Sequence, residues 1–338
     1  MKEISELRLV QGTVLRIVQR INIREKLRLK FPANKAFALS GMMRTLQFHQ
    51  DGVFMLLFVD NLTNVDFSFL DPERGLLGET WLANVRLLGE LDEQGMVCDF
   101  GTVKKVMRHW LDTELDHRLA VPVRSPHIRI DEEGEFLNIR WQFGEAGEFL
   151  ETRSPRDAIA LVDAEVLTQE SVAAWCITQL KQQFPTTVVR MELDFTLEAI
   201  EGAYYHYSHG LKKHLGNCQR IAHGHRSRID IWANGQKSPA LEQQWANTWK
   251  DIYLGTREDL VSSPVNGGVD YYYFAYEAQQ GQFEITLPQR CCYLMDTDTT
   301  VEFIAHHIAQ KTWQENPGSR IRVKAYEGIN KGAIVEAG

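Results

Sequence analysis

A chain of 338 residues, 44% hydrophobic and 24% charged, can bury the cores of two ordinary domains, and with no apolar run near the roughly eighteen residues of a membrane span it reads as a cytoplasmic protein. Its net charge of -8 divides unevenly: residues 1–54 carry ten Lys and Arg against four Asp and Glu, the remainder 27 against 41, and so acidic a body argues against a nucleic-acid binder. Five cysteines, Cys98, Cys176, Cys218, Cys291 and Cys292, lack a framework spacing and are expected as free thiols.

Residues 1–54 read as a basic extension outside the fold, and Glu3 and Glu6 do not suit an organelle presequence. From Met55 strands and helices alternate. LLFVDNLTNVDFSFL and TWLANVRLLGEL suggest a strand pair, and GMVCDFG turns the chain into TVKKVMRHWLD, where Val103, Val106, Met107, Trp110 and Leu111 take the spacing of an amphipathic helix. A hairpin is expected at HIRIDEEGEFLNIRWQF, turning at Glu132-Glu133-Gly134. A helix at TQESVAAWCITQLKQQF and a strand at TVVRMELDF follow.

The same order then recurs. Ala203 to His209 and His225 to Ala233 read as strands, SPALEQQWANTWKDIY as a helix, DYYYFAYEA and QFEITLP as strands, TTVEFIAHHIAQKTW as a helix and RIRVKAYE as a strand. A duplication explains this, with units at 55–195 and 196–338. Residues 76–89, LLGETWLANVRLLG, align without a gap on residues 222–235, AHGHRSRIDIWANG, setting Gly78 over Gly224 and Gly89 over Gly235. The first copy therefore has Leu77 and Glu79 where the second has His223 and His225. Paired histidines needed only for core filling would have no reason to be absent from one copy.

In the strand that starts there, His223 and His225 share the inward face, so both imidazoles can reach one ion. A third would complete the open three-ligand set of catalytic zinc, and His206, His209 and His214 are the upstream candidates. YHYSHGL, then Cys218, then HGH, resembles the zinc and nucleophile signature of the 6-pyruvoyl-tetrahydropterin and 6-carboxytetrahydropterin synthase family. That resemblance selects His209, His223 and His225 as ligands of Zn2+. GMVCDFGTVKK followed by ELDHRL resembles the family's helix start and Leu-Asp-His segment, implying catalytic roles for Asp116 and His117 beside Cys218. VKAYEGINKGAIV resembles the strand whose glutamate anchors the pterin, here Glu327. The motifs are spread over most of residues 55–338.

The resemblance implies an α+β fold of tandem tunnelling-fold domains, each an antiparallel four-stranded sheet with helices on one face. It implies a homo-oligomer, a small-molecule pterin as partner, and neither nucleic acid nor membrane. The implied chemistry is loss of triphosphate from 7,8-dihydroneopterin triphosphate, which in bacterial relatives leads toward queuosine. Neither copy is complete, since the first lacks the histidines and the second has TREDLVSSP where an Asp-His pair would be sought. The halves are complementary, so one composite site per chain is expected, formed within the chain or between chains. Cys218 stands five residues before His223 where some relatives have four. The alternative reading is a pterin or purine binder without catalysis. Cys291-Cys292 are adjacent and do not have a zinc-knuckle spacing; His306-His307 and the Lys212-Lys213-His214 run read as packing and solvated loop.

Overall fold

The computed structural model describes residues 54–144 and 147–338. Residues 1–53, nearly all of the basic extension, lie outside the described residues. The first repeat runs β1 (Phe54–Asp71), β2 (Gly75–Glu90), α1 (Phe100–Glu114), β3 (Leu119–Pro122), β4 (Ile128–Glu133), β5 (Phe136–Phe143), β6 (Glu148–Pro155), β7 (Ile159–Val162), α2 (Gln169–Leu180) and β8 (Val188–Leu197). The second runs β9 (Tyr204–His209), β10 (His223–Ala233), β11 (Gln236–Lys237), α3 (Pro239–Thr248), β12 (Ile252–Thr256), β13 (Leu260–Ser262), β14 (Val265–Asn266), β15 (Val269–Ala278), β16 (Gly281–Pro288), β17 (Cys292–Met295), α4 (Val301–Glu315), β18 (Ile321–Tyr326) and β19 (Gly332–Ala337).

Local chemistry sets the helix starts. The Asp99 carboxylate accepts from Thr102 N at the head of α1, Thr168 and Ser171 form a capping box on α2, Pro239 opens α3, and Thr300 caps α4. Of the apolar stripe expected on α1, Val103, Met107, Trp110 and Leu111 are buried and Val106 is half-buried, and they pack with α2 onto Val65, Phe67, Trp81, Val85 and Leu193 of the sheet. In the second repeat, Trp245 of α3 and Ile304 and Ile308 of α4 pack against Tyr205, Ile229, Ile231 and Val323. No helix among the described residues is long and apolar enough to cross a membrane.

The two main sheets have matching orders, β7-β3-β1-β2-β8 and β17-β12-β9-β10-β18-β19. This corrects the expected four antiparallel strands. An antiparallel centre, β1-β2-β8 or β9-β10-β18, is extended on one side by two short parallel strands, β3 and β7 or β12 and β17. Helices α1 and α3 supply the crossover that a parallel pairing needs. A third sheet was not legible in the sequence. The hairpins β5-β6 and β15-β16 join edge to edge through β6 and β16, with Ile285 opposite Thr152. Beneath it a core shared by both repeats packs Leu119, Trp141 and Leu150 with Tyr253, Phe274 and Ile285.

The repeats also meet where β2 crosses β10. A Cβ on Gly78 would stand 1.8 Å from the Tyr207 carbonyl oxygen, and one on Gly224 would stand 2.6 Å from the Gly78 Cα, so only glycine lets the backbones approach. Ser68 and Ser208 bridge the same crossing through their hydroxyls at 2.7 Å. Equivalent residues thus touch each other, as across an internal two-fold axis.

Candidate functional site

The crossing delivers the histidines. His223 pairs with His209 across β10 and β9, while His225 follows two residues on, and all three side chains are buried. Their ligand atoms lie within 4.8 Å of one another. His209 Nδ1 faces the Thr299 carbonyl at 3.0 Å and His223 Nδ1 the Arg220 carbonyl at 2.9 Å. A carbonyl only accepts, so each Nδ1 carries the proton and each Nε2 keeps its lone pair. Burial first, and then the neighbouring imidazoles, hold both pKa values well below the ordinary histidine value. Among the described residues, His209 Nε2 and both nitrogens of His225 are buried without a hydrogen-bond partner. Two neutral imidazoles with free Nε2 lone pairs, His209 and His223, together with the adjoining His225 are a donor set that fits zinc.

Asp116 and His117 come from the other repeat, directly after α1. His117 adopts φ +55°, a left-handed backbone conformation uncommon outside glycine. That turn is held by His117 N donating to the Asp66 carbonyl at 2.7 Å and by Asp66 N donating to Asp116 Oδ1 at 2.7 Å. Asp116 Oδ2 accepts from His117 Nδ1 at 2.5 Å. The His117 ring lies 4.9 Å, centroid to centroid, from that of His223. Cys218 sits on the 3-10 turn Gly216–Gln219, and its sulfur is within 4.8 Å of a nitrogen of both His117 and His223. Burial would lower the pKa of His117, yet Asp116 and Cys218 hold it up, at about 10. Glu327, just past β18, is 24% exposed and places Oε1 3.9 Å from His225 Nε2.

All seven residues expected from the sequence therefore gather in one place, within one chain. Sequence reasoning missed others that touch or support them. Thr299 orients His209. Asp66 is 1% exposed, accepts from Thr80 Oγ1 at 2.6 Å, and approaches His225 Nδ1 to 3.2 Å. Lys331 brings Nζ within 3.2 Å of Asp66 and 3.9 Å of Glu327. Burial opposes ionisation of Asp66, but His225, Lys331 and Thr80 outweigh it and hold the carboxyl well below its ordinary range. Gly328 is left-handed, at φ +68°, and its Cβ would stand 2.4 Å from Asp66 Oδ1, so the loop after Glu327 can pass the buried carboxylate only as glycine.

The two-fold partner of this site has different contents. Leu119 lies opposite Ser68 and Tyr253 opposite Ser208, which makes Lys250-Asp251, and not TREDLVSSP, the counterpart of Asp116-His117. Asp251 has the same φ of +55°. It is ion-paired with Arg74 rather than facing a thiol. Phe69, Leu77 and Glu79 occupy the places of His209, His223 and His225. Elsewhere Lys212 and Lys213 are paired with Glu258, Asp259 and Asp298, and His307 packs near Trp249 with the Tyr293 hydroxyl at 2.8 Å, as structural roles require.

Comparison with known proteins finds relatives of this chain. A Pyrococcus horikoshii protein provisionally named 6-carboxy-5,6,7,8-tetrahydropterin synthase is 31% identical over 98 residues, 29% of this chain and about half (53%) of that relative's length. Among solved structures, 6-pyruvoyl tetrahydropterin synthase from Plasmodium vivax is 20% identical over 44% of this chain and 94% of its own, at a TM-score of 0.37. The Plasmodium falciparum enzyme is 15% identical over 43% and 92%, at 0.36. The profile of 6-pyruvoyl tetrahydropterin synthase matches twice, over residues 70–198 and 199–338, so the chain belongs to that family as a tandem of two family units.

Proposed function

We propose that this chain is a zinc-dependent lyase of the 6-pyruvoyl or 6-carboxytetrahydropterin synthase type, acting on 7,8-dihydroneopterin triphosphate with loss of triphosphate. The observation that carries the reading is the meeting of Asp116 and His117 from the first repeat with Cys218, His209, His223 and His225 from the second. The repeats are taken as 55–195 and 196–338, each incomplete alone. Zinc on the three histidines would supply Lewis-acid polarisation of the substrate's side-chain oxygens. Cys218, with its sulfur within 4.8 Å of a nitrogen of His117, would be the group that takes a proton from the substrate side chain. His117, its Nδ1 proton held by Asp116, can relay a second proton at Nε2. Glu327, partly exposed beside the cluster, can accept two parallel N–H groups from an aminopyrimidine edge.

A non-catalytic pterin binder would need only Glu327 and has no use for a Cys-His-Asp chain. Edges at β8 and β19 that are unpaired among the described residues suit the homo-oligomer that the family resemblance implies. The test is to incubate zinc-loaded protein with 7,8-dihydroneopterin triphosphate, following triphosphate release and product mass. Turnover is expected from the wild type and is lost in Cys218→Ala and His117→Ala. Tight pterin binding without turnover, removed by Glu327→Ala, would replace the enzyme with the binder.

A further inference from the structure

Asp66 belongs to the first repeat, yet its side chain faces the histidines of the second. On β1 it stands opposite Thr80 and is 1% exposed. Its two carboxylate oxygens divide their contacts. Oδ1 takes the Thr80 hydroxyl at 2.6 Å and lies 3.2 Å from His225 Nδ1, while Oδ2 lies 3.2 Å from Lys331 Nζ and 3.4 Å from Asn64 Nδ2. Its main chain meanwhile holds both Asp116, through N–H to Oδ1, and His117, through C=O to N–H.

His209 and His223 each have a carbonyl at Nδ1, from Thr299 and Arg220. Among the described residues His225 Nδ1 has no such partner, and the Asp66 carboxylate approaches it to 3.2 Å. The 3.2 Å approach lies within hydrogen-bonding distance without meeting the geometry of a hydrogen bond. A carboxylate at Nδ1 makes the imidazole a better donor at Nε2 than a carbonyl does, and it fixes the ring plane.

Building on the zinc reading of the three histidines, we propose that Asp66 is a positioning residue: its carboxylate accepts a hydrogen bond from Nδ1–H of His225 across the repeat boundary, aims Nε2 at the metal, and through its main chain keeps Asp116 and His117 in register with it. A competing explanation makes Asp66 only the buried counter-charge of Lys331. The two differ in what they do to metal binding, because a structural ion pair acts on folding and leaves ligand basicity alone.

The experiment compares Asp66→Asn with wild type by zinc affinity in chelator competition, by the visible spectrum of the cobalt(II) form, and by melting of the metal-free protein. Loss of the carboxylate should weaken zinc roughly 10–100-fold and shift the cobalt bands. If Asp66→Asn does not fold, Thr80→Val decides: it keeps the carboxylate but removes its hydroxyl donor, and should weaken zinc in the same direction by a smaller factor. Unchanged zinc affinity and cobalt spectrum in whichever variant folds overturn the proposal, even where melting falls. A His225→Ala arm reports separately on the underlying reading: zinc binding undiminished in that variant would dismiss the three-histidine site itself.

Discussion

At the scale of single residues, the site depends on which nitrogen of each imidazole carries the proton. Carbonyls fix this for His209 and His223, and a carboxylate fixes it for His117. Asp116 therefore does more than charge its neighbour: with Oδ1 tied to Asp66 N and Oδ2 on His117, it holds ring and backbone together. Asp116→Asn can keep the fold but can present its amide N–H to Nδ1, favouring the wrong tautomer. Turnover should drop about 10²–10⁴-fold with zinc content intact. In a His117→Ala background the same change should add little, since the two act as one unit. Steady-state kinetics of the two single variants and the double variant check this, and wild-type turnover in Asp116→Asn would remove the residue from the reaction.

At the scale of elements, the crossing of β2 and β10 sets up two neighbouring environments of opposite character. On the β10 side the face holds histidines with inward lone pairs; on the β2 side the matching position is Glu79, 7% exposed, with Oε2 3.8 Å from His206 Nδ1. Burial pushes Glu79 up to about 7 from an ordinary 4.5. The folded protein thus holds this proton more tightly than the unfolded chain, so the stability it contributes is complete below pH 4.5 and is lost as pH rises through 7. His206, lowered to about 4 chiefly by burial, changes charge below that window. Glu79→Gln imitates the protonated form, and denaturation from about pH 5 to pH 8 should show the wild type losing about 1–3 kcal/mol relative to the variant. Parallel curves would mean that the carboxylate is solvated at the crossing. Much of this region was legible beforehand: Gly78 and Gly224 aligned in the sequence and touch in the fold, and the α1 stripe is buried as read. The short strands β3 and β7 were not, because four residues show no period. Nor was the joined third sheet, whose β6-β16 pairing links residues more than a hundred positions apart.

At the scale of the whole molecule, the legible part of the site is the part written in contiguous windows, namely YHYSHGL, HGH, LDH and VKAYE. Asp66, Thr80, Thr299 and Lys331 lie on β1, on β2, before α4 and after β18, and only the crossing of the repeats brings them to the histidines. That crossing also decides how many sites a chain can hold. The internal two-fold creates two equivalent positions, but the ligand places of one are taken by Phe69, Leu77 and Glu79, and its Asp-His counterpart is Lys250-Asp251 with Asp251 paired to Arg74. A phenyl ring and an isobutyl group offer no lone pair, so a single carboxylate remains where three ligands are needed. Zinc should therefore bind at one equivalent per chain, and assembly into any oligomer should leave that ratio unchanged. Because the ion binds the folded state, saturating zinc at about a hundred times its dissociation constant should raise unfolding free energy by about 2.7 kcal/mol, and chelation should reverse it. Metal analysis with thermal melts measures both, and His223→Ala should abolish both together. Two equivalents per chain, or one that survives His223→Ala, would mean that the metal is held by residues other than those gathered at the crossing.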